Sequence, residues 1–260
     1  MILCSFNLNT VFNVDFDSPK IKSTTNGTAM TPVEAASKQS YHHGNVKAAL
    51  IQAAISLLQD EPVQSLSLRR LAKEVGITPT AVYNHFSDKD ALVCAIKLEG
   101  FENFNVFIKE QCADIDDPEK IIVQLGIAYY RFYKIYPSQF DVLFNYAIPP
   151  ESISDDLIER ACQSQDLLKN VIQAILVKRG KDFNEDVLVK ASIMAWTQIH
   201  GLVTLTASGS IAASANCQGW PEKYAMIHDK DVEQMIRDQV SVMIHGLADC
   251  QCFQVDGQHQ

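Results

Sequence analysis

The stretch Ser67–Lys89, SLRRLAKEVGITPTAVYNHFSDK, decides how the chain is read. It holds two short helical patterns joined by a tight turn, followed by the first residues of a third. Ala72 is small where two helices must approach closely. Gly76, four residues later, stands where a chain leaving a helix takes a left-handed conformation, which glycine adopts without a Cβ clash. Val82, six residues on, returns an apolar side chain from the second helix to the first. Ser67 and Thr78 are N-cap types placed just before each helix, and Pro79 takes the first helical position, where a missing N–H costs nothing. This spacing describes a helix-turn-helix, whose second helix fits the major groove of duplex DNA.

Working outward, a helix is expected from about Asn45 to Gln59, with Val46, Leu50, Ile51, Ala54, Ile55 and Leu58 on one stripe. Asn45 is its expected cap, and Glu61-Pro62 stops it. Ser87 is the expected cap of a long fourth helix reaching about Gln111. Asp117-Pro118 opens the next, with Ile122, Leu125, Tyr129, Phe132 and Tyr133 on one side. After Pro137 comes a short piece, Phe140 to Tyr146, and then a helix from about Ile153 to Lys178 that closes on Gly180. Asn184 caps another, through Trp196 to near Gly209, and the last runs from about Lys230 to Ala248. No alternating strand pattern interrupts this order, so the expected fold is all-α. The connection from Ser210 to His228 is long for a compact domain; it either holds a short helix or covers something.

Composition bounds the remaining choices. The chain has 260 residues and is 47% hydrophobic, enough for a packed core rather than disorder. It lacks an 18-residue apolar run, and its amino terminus has neither a basic leader nor a small-residue cleavage site, so neither a membrane span nor a secretory signal is expected. Seven scattered cysteines suit reduced thiols in the cytoplasm. Cys250 and Cys252, with His245 and His259 nearby, are read as incidental thiols in a frayed tail; no metal or cofactor is expected. Residues 1–40 are rich in Asn, Ser and Thr and read as a disordered tail, with Met30 as an alternative translation start. The net charge is −9, yet between Tyr41 and Asp90 five basic residues balance five acidic ones. An acidic body with a neutral reading head points to local DNA contacts rather than general coating.

From Tyr41 to Phe101 the chain closely resembles the amino-terminal domain of the TetR family of bacterial transcriptional regulators. The run LSLRRLAKEVGITPTAVYNHFSDKDAL matches that family's signature, including Gly76, the Tyr83-x-x-Phe86 pair and Lys89. YHHGNVKAAL, AYYRFYKIYPSQFDVLF and Trp196…His200-Gly201 resemble a subgroup whose carboxy-terminal domain bears a W…HG signature. The resemblance implies a helix-turn-helix domain over residues 41–92 and a larger helical domain for effector binding and dimerisation over 93–252.

It also implies roles. A homodimer would set two third helices in successive major grooves of a palindromic operator. Thr80 and Ala81 would reach base edges, where their methyl groups suit a thymine methyl. Ser67, Thr78, Tyr83, Asn84, His85 and Lys89 would anchor phosphates. The third helix carries no Arg or Lys, so guanine readout would have to come from Lys47 or Arg69. His42 and His43 read as a flexible lead-in. The last two long helices would form the dimer's four-helix bundle, with Gly201 and Gly246 at close contacts. Tyr129, Phe132, Phe144, Trp196 and His200 are the candidates for a pocket that takes a small apolar or aromatic effector.

Two other functions compete. One is a DNA-binding adaptor or activator whose carboxy-terminal domain holds a protein partner. The other is an enzyme, against which stand the absence of a G-x-S-x-G elbow, a glycine-rich phosphate loop and an H-E-x-x-H pair. No catalytic residue is assigned.

Overall fold

The computed structural model describes residues 45–249, apart from 216–218, 222, 223 and 225. The tail expected over 1–40, the start at Met30, His42, His43, Cys250 and Cys252 lie outside the described residues. Among those described, the regular structure is helical throughout. The helices are α1 (Val46–Leu57), α2 (Leu68–Val75), α3 (Pro79–Tyr83), α4 (Lys89–Cys112), α5 (Pro118–Ile135), α6 (Pro137–Phe144), α7 (Asp155–Lys178), α8 (Glu185–Ala207), α9 (Ser210–Ser214) and α10 (Asp229–Asp249).

Most boundaries rest on side-chain caps that the sequence supplies locally. Asn45, Ser67, Thr78, Asp117, Ser154 and Asn184 each accept a backbone N–H from the first turn of the helix that follows. Gly76 closes α2 at φ +76°, the left-handed conformation expected of it. The fourth helix differs from expectation. Asp88, not Ser87, is its cap: the carboxylate accepts the Ala91 N–H at 2.8 Å, and Ser87 donates its hydroxyl to Asp88. A carboxylate outcompetes a hydroxyl at a helix N-terminus because it meets both the open N–H groups and the positive end of the helix dipole. The same bonds hold the Asp88 carboxyl below its ordinary range. Its contribution is therefore full at neutral pH and fades as pH falls through the folded-state value. Asp88→Ala should cost about 1 kcal/mol in equilibrium denaturation at pH 7, and Ser87→Ala distinctly less.

Two hydrophobic cores form. The first joins Leu50 and Ala54 of α1, Leu71 and Ala72 of α2, Val82 of α3, Phe86, and Leu92, Val93 and Ile96 of α4. The second fills the body among α4, α5, α7, α8 and α10. Helix α4 belongs to both; at 24 residues it is about 36 Å long. Val142 of α6 is buried in the first core, although the rest of that helix packs with the body.

The long connection after α8 does hold a short helix, α9, entered through Gly209 at φ +70°. Within the described chain, one close helix approach rests on a different glycine. A Cβ on Gly126 would stand 2.8 Å from Ile236 Cγ2, so it is Gly126 that lets α5 approach α10. Gly201 and Gly246 have nothing within 4 Å of a built Cβ among the described residues.

Candidate nucleic-acid interface and effector cavity

The reading head exposes what its sequence promised and buries its frame. Val82 and Phe86 are core residues, 0% and 3% exposed. On the opposite side of α3, Thr80, Tyr83, Asn84 and His85 are exposed and Ala81 is half-buried. Tyr83 leaves half its surface in water, an unusual placement for a ring that has a core one turn away. Ser67 Oγ and Thr78 Oγ1 accept N–H bonds as caps at 3.2 and 3.3 Å. Each hydroxyl hydrogen remains available to donate, so capping and phosphate contact do not compete.

The cations divide by partner. Arg70 forms a two-pronged ion pair with Glu61, and that guanidinium holds the Glu61 carboxyl down to about 2. Lys47 lies over the Phe86 ring, 5.9 Å from its centroid. Lys89 Nζ donates to the Gln64 carbonyl at 3.0 Å, which fixes its position and leaves two N–H groups unspent. Arg69 is exposed and has no carboxylate partner among the described residues.

In the body, a small cavity of about 70 Å³ opens between α4, α5, α7, α8 and α10, with Phe144 from α6 in its wall. Of the five expected residues, Tyr129, Phe144 and Trp196 line it. Phe132 does not: it is fully buried behind the wall, edge-on to Phe104 at 5.0 Å and Phe107 at 5.7 Å. His200 stands one layer back and is tied to the wall through Tyr129, whose hydroxyl lies 2.8 Å from Nδ1. Thr204 Oγ1 is 3.5 Å from His200 Nε2. Trp196 and His200 lie one turn apart on α8 with ring centroids 6.2 Å apart, so the W…HG spacing sets the two rings side by side.

The electrostatics of the wall are neutral. Burial pushes the His200 imidazole below its ordinary value and the Tyr129 hydroxyl well above its own, so both are uncharged at neutral pH. Among the described residues, no lysine, arginine, aspartate or glutamate lines the cavity. Sequence reasoning missed Phe104 and Ile108 of α4 and the polar pair Ser164-Gln165 of α7. The available signal was that pair itself, two polar residues on the side of α7 that otherwise carries Leu168 and Val171 inward.

Residues 50–96 match the family described as bacterial regulatory proteins, tetR family, and residues 122–219 match the tetracyclin repressor-like carboxy-terminal domain. Over 45 residues, 17% of this chain, the sequence is 51% identical to an uncharacterized HTH-type transcriptional regulator of Haemophilus influenzae; the chain spans 22% of that relative's length. A solved protein of unknown function from Rhodococcus sp. RHA1 superimposes with a TM-score of 0.63 at 23% identity, over 82% of this chain and all of that one. AibR, solved with isovaleryl coenzyme A and operator DNA, gives a TM-score of 0.52 at 15% identity, over 74% of this chain and 96% of that one. At these identities the likeness to solved structures is one of fold. An all-helical chain with a helix-turn-helix head and a larger helical body is the architecture of a DNA-binding transcriptional regulator. This chain belongs to the TetR family of bacterial transcriptional regulators, in the group with a W…HG carboxy-terminal domain.

Proposed function

We propose that the protein is a ligand-responsive repressor that binds a palindromic operator as a homodimer. The observation that carries this reading is the shared helix: α4 begins in the reading head and ends in the wall of a partly open apolar cavity. Residues 41–92 form the head and 93–252 the effector and dimer domain. The dimer face is the exposed stripe of Val189, Ile193, Met194 and Leu205 on α8, beside Val242 on α10. Gly201 and Gly246 lie along it with nothing within 4 Å of a built Cβ among the described residues, which leaves room for a second backbone.

Two α3 helices then enter grooves about 34–36 Å apart. Thr80 and Ala81 read methyl-bearing base edges, and Ser67, Thr78, Tyr83, Asn84, His85 and Lys89 set the register on phosphates. The effector is small and apolar or aromatic, and its enclosed part is uncharged, because an ion in this cavity would lack a partner. The AibR complex, which holds an acyl ligand and operator DNA on the same fold, supports a chain that can answer one with the other. The ligand releases DNA only to the extent that it binds the released conformation more tightly.

Gel-shift titration on the DNA flanking the protein's own gene tests the reading. Tyr83→Phe with Lys89→Ala should weaken binding on every sequence and lower the salt slope by about 1 per protomer. Thr80→Val should instead change which base is preferred at one position in each half-site, by ~1 kcal/mol. A double variant that binds as tightly as the wild type would remove the anchor assignment.

A further inference from the structure

Three consecutive residues at the end of α6 straddle the two cores. Val142 is buried in the core of the reading head, Leu143 in the core of the body, and Phe144 lines the cavity. The backbone between them is held by one side chain. Lys97 of α4 is only 8% exposed, and its ammonium donates to the Leu143 carbonyl at 3.1 Å. One turn along α4, Gly100 makes room for Leu143: a Cβ there would stand 3.0 Å from Leu143 Cδ2.

A buried lysine of this kind is costly unless something rewards it. Burial pushes its pKa below the ordinary lysine value, and no carboxylate pairs with it among the described residues. Its partner is instead a carbonyl of the last turn of α6, a group without an acceptor role inside its own helix and set at the negative end of the helix dipole. If α6 shifted along α4 by an ångström or two, the ammonium would be stranded in an apolar seam. Sliding is therefore the least favourable way for this contact to respond to a push.

We propose that Lys97 is a positioning residue that fastens the end of α6 to α4, so that a displacement of Phe144 in the cavity wall moves the reading head instead of being absorbed at the seam. The inference rests on the effector reading of the cavity. It assigns Lys97 no contact with DNA or ligand. Its removal acts on the coupling between the two sites.

A double-mutant cycle tests this without an identified effector. Ser164→Phe fills the cavity from the α7 wall, opposite residues that include Phe144, and stands in for a ligand. Lys97→Met keeps the buried aliphatic stem and removes the charge. Operator affinity is measured on one duplex selected by the wild-type protein from random-sequence DNA. Ser164→Phe alone should weaken binding about tenfold, a typical coupling. In the Lys97→Met background the same substitution should weaken it less than about twofold, with the thermal midpoint of Lys97→Met at or above that of the wild type. Equal losses in the two backgrounds overturn the role of Lys97 and leave the effector reading standing. No loss from Ser164→Phe in either background overturns the effector reading, and the role of Lys97 with it. Lys97→Gln, which retains a shorter uncharged donor, replaces Lys97→Met if that variant does not fold.

Discussion

Phe132→Ala is expected to lower stability by about 3–5 kcal/mol. The ring is fully buried and meets Phe104, Phe107 and Tyr136. Removing it takes away both its transfer free energy and the contacts of a wall that several helices hold in place, so little collapse can fill the void. Trp196→Ala makes the contrast. Trp196 lines the cavity and is 37% exposed, so its loss should cost much less stability while enlarging the cavity. Urea unfolding of both variants at one protein concentration measures the difference; matched concentration matters because association adds to apparent stability. A Phe132→Ala loss under about 1.5 kcal/mol would mean that the residue borders a space able to close, as a pocket residue would.

Ile193→Asp should abolish the dimer at micromolar concentration, and operator binding with it. Ile193 is half-exposed in the chain, within the apolar stripe that includes Met194 and Leu205. In a two-fold interface the substitution occurs twice, and each carboxylate would be buried without a partner, at a penalty of several kcal/mol in all. The reading head and cavity lie elsewhere, so the monomer should keep its helical spectrum. Sedimentation velocity of the variant against the wild type gives the answer. A wild-type monomer, or an Ile193→Asp dimer, would remove this face from the proposal.

Much of the head was legible because its signals are local. A cap, a proline at the first helical position and a left-handed glycine act within one turn, so Ser67 and Gly76 bound α2, and Thr78 and Pro79 fix where α3 begins. The fourth cap escaped because Ser87 and Asp88 are adjacent residues of capping type, and local pattern does not rank them. The acid's charge does.

The body was legible as helices and much less so as a site. Tyr129 and Phe132 both lie on the buried side of α5, three residues apart. Periodicity reports that a side chain turns inward but not whether it meets a neighbour or a gap. That depends on Phe104 and Phe107, 25 to 28 residues earlier in the chain, and on α7 and α8 after it.

Gly201 and Gly246 show the same limit. Sequence marks them as helical glycines that need a reason, and only the fold shows that, among the described residues, it is Gly100 and Gly126 that take the close contacts. Lys97 carried no sequence signal at all, since a lysine on a long helix ordinarily faces water. From sequence alone came the helix-turn-helix, its exposed and buried faces and the all-helical order, because these rest on short-range hydrogen bonds and a 3.6-residue period. Tertiary structure alone decided which inward rings enclose space and which lysine is buried, because both depend on residues brought together from distant parts of the chain.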